Sequence, residues 1–259
     1  MTRLRRWSAV GLAGALLAAA AGVAHADPAP PTAQVVGGTP ARQGDYPWMT
    51  RMKTGWGGCG GTLVSPDVVI TAAHCYKFGG EGITAWIGNV NFAEGEQRKG
   101  VSKVNGKGEG AGDWSVVKLD KPYAAASYPV FPADGAHDAG PTFRAMGWGA
   151  TKENGQTSKV LLQVDLPKVD DALCAANGNI QAEVCAGDYE KGGIDTCQGD
   201  SGGPLVKRDG DRWVFVGIVS RGVGCARPKN PGYYTRVSAF RDDIRKAIQQ
   251  LGGQLPAGL

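Results

Sequence analysis

The chain is poor in histidine, has no closely spaced cysteine pair, and lacks any long apolar run beyond its amino-terminal end. Only three histidines occur in 259 residues, and His25 lies in a leader-like segment, so chemistry that needs an imidazole has two candidates, His74 and His137. None of the six cysteines sits in a Cys-x-x-Cys pair, which argues against a structural zinc site. After residue 26 no apolar stretch approaches the roughly 20 residues of a membrane-spanning helix. Charge of either sign is close to balanced. The formal net charge is +4, and without the three arginines and one aspartate of the first 34 residues it is +2, from 25 basic and 23 acidic side chains. Such a surface offers no basic footprint for nucleic acid or an anionic membrane.

The amino terminus is patterned. Arg3, Arg5 and Arg6 precede an alanine-rich apolar run that ends at Ala24-His25-Ala26. A basic end, a short apolar stretch and a small-residue cleavage site make up a secretory signal peptide, expected over residues 1–26. The export route stays open, because the Arg5-Arg6 pair suits twin-arginine export and the general route alike. Residues 27–34, Asp27 to Gln34, are rich in proline and without apolar periodicity, and read as an exposed extended peptide. The mature chain is expected outside the cell, where six cysteines favour disulfides, although six allow 15 pairings and their spacing selects none.

From Val35 onward, 225 residues remain, enough to bury about 70 to 75% of the surface of the unfolded chain. Short apolar runs such as Val68-Val69-Ile70, Val116 to Leu119, Val160-Leu161-Leu162 and Trp213 to Val219 alternate with Gly, Pro, Asn and Asp. This pattern predicts an all-β sandwich or barrel. Residues 62–70 read as a hairpin turning at Ser65-Pro66-Asp67, with Asp67 expected to bond local backbone. One helix is expected at the carboxyl end, with Phe240, Ile244, Ile248 and Leu251 on one face and Ser238 as its cap.

The most informative stretch is Gly199-Asp200-Ser201-Gly202-Gly203-Pro204. A serine between glycines sits at a tight turn whose backbone N–H groups lie close enough to receive a developing oxyanion. An alcohol near neutrality needs a base beside it. His74, just after a strand and next to Cys75, suits that role better than His137, which lies in a glycine- and alanine-rich stretch read as a solvated loop. The base in turn needs a carboxylate to hold its tautomer. Asp113 precedes an apolar strand that would present it with little water, whereas Asp120, Asp134 and Asp138 lie in turn-like stretches and are expected to be exposed.

With these residues placed, the chain resembles the trypsin-like, chymotrypsin-fold family of serine proteases, and within it the bacterial secreted trypsins. Val35-Val36-Gly37-Gly38, Thr71 to Cys75, Asp113 before its strand, Gly147-Trp148-Gly149, Asp195 to Pro204 and Pro231 to Thr235 occur in the family's order over nearly all of residues 35–250. The resemblance implies two six-stranded antiparallel β-barrels with a carboxyl-terminal α-helix, the first barrel over residues 35–132 and the second, with the helix, over 133–259. It also implies disulfides Cys59–Cys75, Cys174–Cys185 and Cys197–Cys225. By the same resemblance Gly199 and Ser201 would supply oxyanion N–H groups, and Ser220, Arg221 and Gly222 would pair with the substrate backbone, the Ser220 hydroxyl reaching Asp113.

Specificity and maturation follow from the same likeness. Asp195, with Thr196 beside it, falls at the base of the primary pocket, where a substrate Arg or Lys is the partner a buried carboxylate needs. Gly222 and Gly232 would leave its walls open. A freed amine at Val35 would insert beside Asp200, which makes residues 27–34 a propeptide. Gln34 is not basic, so another protease is expected to cut there.

Three departures stand out. Arg221 replaces a usual aromatic, and would either point outward to attract acidic residues upstream of the scissile bond or lean towards Asp195 and hinder cations; the first is favoured. Trp114 follows the catalytic aspartate in place of a small aliphatic residue and is expected to pack locally. The stretch Asn89–Glu96 is short and begins with Asn, so neither calcium nor any other metal is expected, and no organic cofactor is implied. The expected partners are protein and peptide substrates and protein protease inhibitors, with the enzyme a monomer. A catalytically silent binding protein on the same scaffold would show damage to the serine loop or the triad, which the sequence does not, and Asp195 opposes a preference for aromatic side chains.

Overall fold

The computed structural model describes residues 35–54, 57–76 and 82–259, with the isolated Thr2. The signal peptide and propeptide expected over residues 1–34 thus lie outside the described residues, Thr2 apart.

The apolar runs become strands. After the two-residue β1 (Thr39–Pro40) come β2 (Met49–Thr54), β3 (Gly57–Ser65), β4 (Val68–Thr71), β5 (Ile83–Ile87), β6 (Glu96–Asn105) and β7 (Ser115–Leu119). The last six close into an antiparallel barrel in the order β2-β3-β4-β7-β6-β5. The shortest of them, β4, is four β-branched residues in succession, all buried; such side chains are stiff and favour the pleated backbone. The hairpin forms as expected, with Thr62 opposite Ile70 and Ser65 opposite Val68. Asp67 behaves differently from its sequence reading. Its carboxylate accepts from the distant Gln254 N–H at 2.9 Å and pairs with Lys118 at 3.0 Å, so it ties the turn to the carboxyl end and to β7.

The second half supplies β8 (Thr142–Gly147), β9 (Leu162–Pro167), the short helix α1 (Asp171–Ala175), β10 (Glu183–Ala186), β11 (Pro204–Asp209), β12 (Arg212–Arg221), β13 (Gly232–Arg236) and the terminal helix α2 (Arg241–Gln250). Its sheet has seven strands rather than six, in the order β1-β9-β8-β11-β12-β13-β10. The seventh is β1, added to the edge of β9 by the amino-terminal segment. The other six meet end to end through a single bridge, Lys168 opposite Ala186, flanked by hydrogen bonds of 2.9 Å from Val169 N–H to Cys185 and from Gly187 N–H to Pro167. The structure is therefore all-β, with one closed barrel, one sheet curled almost to closure and a helix at the end.

The cores cross the division drawn from sequence at residue 132. Val35 is fully buried among Phe143, Leu162, Val216 and Tyr234 of the second sheet, whereas Ile244, Ala247 and Ile248 of α2 join the cluster that holds Val68, Ile70 and Val116 of the first barrel. The helix presents the apolar face expected of it, but Ser238 does not cap it. A 3₁₀ turn over Ser238–Phe240 precedes α2, and the Ser238 hydroxyl donates to Asp138 at 2.7 Å.

Ile70 has no exposed surface and lies on the strand that leads into the residues around His74. Replacing Ile70 with Ala is expected to cost about 2 to 5 kcal/mol, as for other large-to-small core changes. Urea unfolding in a Ser201→Ala background, which removes self-digestion, measures it; a loss under about 1 kcal/mol would mean that this site collapses around the deletion and that β4 is not a rigid support.

Candidate active site

Tight packing and one short turn place the imidazole. Immediately after β4 the chain makes a 3₁₀ turn over Ala73–Tyr76, with Ala73 and Cys75 buried and His74 left half-buried between them. The Cys59–Cys75 disulfide fixes this turn to β3. Asp113, with no exposed surface, lies just before β7, the neighbour of β4. Its Oδ1 accepts from the His74 backbone N–H at 2.9 Å and its Oδ2 lies 2.7 Å from Nδ1 of the ring. The Ser220 hydroxyl donates to the same Oδ2 at 2.6 Å. Burial alone would raise the pKa of Asp113, but the bond and charge of the His74 ring, the Ser220 hydroxyl and the His74 N–H outweigh it and hold the group below its ordinary value. An ionised carboxylate only accepts, so Nδ1 carries the proton and Nε2 is left as the basic nitrogen.

Ser201 approaches from the second sheet. Its carbonyl accepts from Gly60 N–H on β3 at 2.7 Å, and the sulfur of Cys75 lies 3.8 Å from that carbonyl oxygen and 4.0 Å from Nε2 of His74. The serine backbone and the far side of the imidazole thus flank one sulfur atom. Neither the Gly199 N–H nor the Ser201 N–H donates to any acceptor among the described residues, although each adjoins residues whose backbone groups are paired. Two unspent donors beside a serine form a receptor for negative charge.

The turn is held by Asp200, which is completely buried. Its carboxylate accepts from Gly149 N–H at 2.7 Å and Cys197 N–H at 3.0 Å. The approach explains two glycines of the Gly147-Trp148-Gly149 motif: a Cβ on Gly147 or Gly149 would fall 2.1 or 2.3 Å from an oxygen of Asp200. Burial pushes the Asp200 carboxyl up to about 6 against these N–H bonds and the charge of Arg51.

Next to Ser201 opens a cavity of about 150 Å³ lined by Asp195, Thr196, Ser220, Arg221, Gly222 and Gly232 among others. Asp195 is nearly fully buried, and its Oδ1 accepts from Thr196 N–H at 2.8 Å and from the Tyr234 hydroxyl at 3.1 Å. Its Oδ2 takes no hydrogen bond among the described residues. Desolvation, with a smaller push from the charge of Asp200, raises this carboxyl to about 7, and the hydrogen bonds of Thr196 and Tyr234 oppose it only in part. A Cβ at Gly232 would lie 2.5 Å from Oδ1, whereas one at Gly222 would meet only Gly224 O at 3.5 Å, so the first glycine is required by contact and the second leaves the mouth open. The Cys197–Cys225 disulfide braces this wall, and Cys174–Cys185 joins α1 to β10.

Arg221 follows neither course expected of it. It turns away from Asp195 and forks onto the buried Glu183, Nε to Oε1 at 2.9 Å and NH2 to Oε2 at 2.8 Å, over the ring of Tyr233 at 4.0 Å. The pair neutralises the charge that would have drawn acidic substrate residues. His137 is half-buried on a 3₁₀ turn, 3.6 Å from Asp209, rather than on a solvated loop. Asp138 is buried, not exposed, because Arg236 and Ser238 bond it. Asp120 and Asp134 are exposed as expected, and Trp114 is buried beside Gly106. One acidic residue near the imidazole was not foreseen: a carboxylate oxygen of the exposed Glu109 lies within 4.8 Å of His74 and Asp113 ligand atoms. A lone acid in a glycine-rich loop carries no sequence signal.

The Trypsin family model matches residues 35–244. A protein described as a trypsin-like protease, from Streptomyces glaucescens, is 41% identical over 231 residues, covering 85% of this chain and 84% of that one. By both matches the chain belongs to the trypsin family of serine proteases.

Proposed function

We propose that this serine endopeptidase is exported, is matured by cleavage before Val35, and cuts peptide bonds after Arg or Lys. The observation that carries the specificity is Asp195, a buried carboxylate at a cavity beside Ser201 with one oxygen unpaired. A guanidinium or ammonium brought by the substrate offsets its desolvation.

In the reaction, the Ser201 hydroxyl attacks the substrate carbonyl and passes its proton to Nε2 of His74. The imidazolium is steadied by Asp113 through the 2.7 Å contact at Nδ1. The N–H groups of Gly199 and Ser201 receive the oxyanion. His74 returns the proton to the leaving amine, an acyl-enzyme forms on Ser201, and water releases it with His74 again as base. Gly222, where a Cβ would make no more than ordinary contact, leaves room for an extended substrate strand at the end of β12.

Maturation before Val35 is supported by two features of that residue. It is fully buried, with φ of 67°, in the left-handed region that a β-branched residue rarely adopts. Cutting the bond to Gln34 releases that backbone angle, and the freed amine gives the buried Asp200 a cation. Export is supported by the three disulfides, and among the described residues no helix is long and apolar enough to cross a membrane.

Mature protein assayed on matched peptides ending in Arg, Lys, Phe or Glu before a reporter group is expected to prefer the basic pair by at least roughly a hundredfold, since a site built for a polar partner rejects one that leaves it unpaired. Ser201→Ala should abolish turnover, and Asp113→Asn should lower kcat by about 10⁴-fold. Equal rates on Phe and Arg peptides would sink the specificity, and an active Ser201→Ala the mechanism.

The position of Asp195 sets a pH dependence. Its pKa is raised to about 7, so the ligand-free fold gains from the neutral acid below the ordinary value of 3.8 and loses that gain as pH rises through about 7. A bound cation favours the carboxylate, so benzamidinium should bind more weakly as pH falls below 7 and should release protons on binding at pH 6. Calorimetry in buffers of different ionisation enthalpy reads this release. A pH-independent affinity between 5.5 and 8, the mutant Asp195→Ser serving as baseline, would show that Asp195 is not the group that meets the cation.

A further inference from the structure

Arg51 is a cation in an unusual place. It lies on β2 of the first barrel, is only 8% exposed, and makes no ion pair at contact distance among the described residues. Its NH1 donates to the carbonyl of Gly199, 148 positions along the chain, at 2.8 Å. Space for the guanidinium comes from Gly58, where a Cβ would fall 2.1 Å from NH2, and the ring of Phe92 lies under Cζ at 5.6 Å. A buried cation without a contact partner is costly, so its destination calls for an account.

That account comes from the three successive peptides that carry the anion donors. The Gln198 carbonyl accepts from Ala150 N–H at 2.7 Å, which turns the Gly199 N–H the opposite way. The Asp200 carbonyl accepts from Gly203 N–H at 2.8 Å, which does the same for the Ser201 N–H. Between them stands the Gly199–Asp200 peptide. Its N–H reaches Cys197 O at 3.0 Å, and its carbonyl is held by Arg51. Two of the three carbonyls are thus fixed by backbone and the middle one by a side chain from the other barrel. The middle peptide is also the one a glycine allows to rotate most easily, Gly199 having a φ of 94° that needs no Cβ.

We propose that Arg51 is a positioning residue for the oxyanion site: by holding the Gly199 carbonyl it keeps the two N–H donors on either side aimed at one point. It touches no substrate atom. Its charge also faces the buried Asp200, and the two groups act on each other in opposite directions, burial lowering the pKa of Arg51 while Asp200 opposes the fall. The inference rests on the protease reading above and adds to it a residue outside the triad and the pocket.

The test separates ground-state binding from binding of the tetrahedral state. In Arg51→Met, kcat on an Arg peptide is expected to fall roughly 10- to 100-fold, less than the loss of a whole oxyanion donor, with KM within about threefold. Benzamidinium, which fills only the Asp195 pocket, should inhibit as before, whereas a peptidyl-argininal, whose adduct on Ser201 carries the oxyanion, should weaken in step with kcat/KM. If Arg51→Met does not fold, Arg51→Lys gives up the planar fork while keeping charge, and should show the same split at smaller size. Equal losses for both inhibitors would make Arg51 a general support of the loop, and no loss for either would make it a bystander; each result overturns the proposal. An unmutated enzyme inactive on the Arg peptide would overturn the protease reading first and this inference with it.

Discussion

Asp113 is buried to the last of its surface and still charged, and the site depends on how that charge is maintained. Desolvation works against an ionised carboxylate, so the fold must deliver enough donors to outweigh it: the His74 ring, the His74 backbone N–H and the Ser220 hydroxyl. Two of these come from the turn after β4 and one from the end of β12, which means that Asp113 is satisfied only when the two sheets are assembled. The same contacts choose the tautomer of His74. Protonating Nδ1 and leaving Nε2 as the basic nitrogen is a consequence of the packing, not a property of the imidazole.

Two other buried carboxylates show the opposite balance. Asp195 and Asp200 receive too few donors to offset desolvation, and both pKa values rise, to about 7 and about 6. Each is therefore a vacancy for positive charge. Arg51 is the cation whose charge already acts on Asp200; in the proposed function the substrate brings the cation for Asp195, and the amine freed at Val35 adds one for Asp200. Under that proposal, and unlike Asp113, these groups are completed by events after folding, cleavage and substrate binding, so the loop between them would respond to both.

Glycine provides the close approaches this arrangement needs. Gly147 and Gly149 admit the Asp200 carboxylate, Gly232 admits that of Asp195, and Gly58 admits the Arg51 guanidinium. In each case the missing Cβ makes room for a charged group, and the glycine and the charge belong to different segments of the chain. Arg221 shows what happens where a carboxylate is already in place: Glu183 captures the guanidinium, and the charge goes into the wall rather than into recognition.

Local sequence determined much of this protein. Runs of β-branched residues between turn formers are enough to make strands, since their backbone preference and burial act over a few neighbours. The glycine-flanked Ser201, the His74 that precedes a cysteine and the Asp113 ahead of an apolar strand could each be singled out because their chemistry is written in adjacent residues. What adjacent residues cannot carry is a partner far along the chain. Asp138 after a histidine reads as a surface charge, nothing adjacent to Arg51, Glu183 or Glu109 marks them out, and only the folded chain places Arg236, Gly199, Arg221 or His74 beside them. The seventh strand, the helix packed on the first barrel and the cations that answer the buried acids were likewise decided by tertiary packing, because the energy of a buried charge depends on what surrounds it in space.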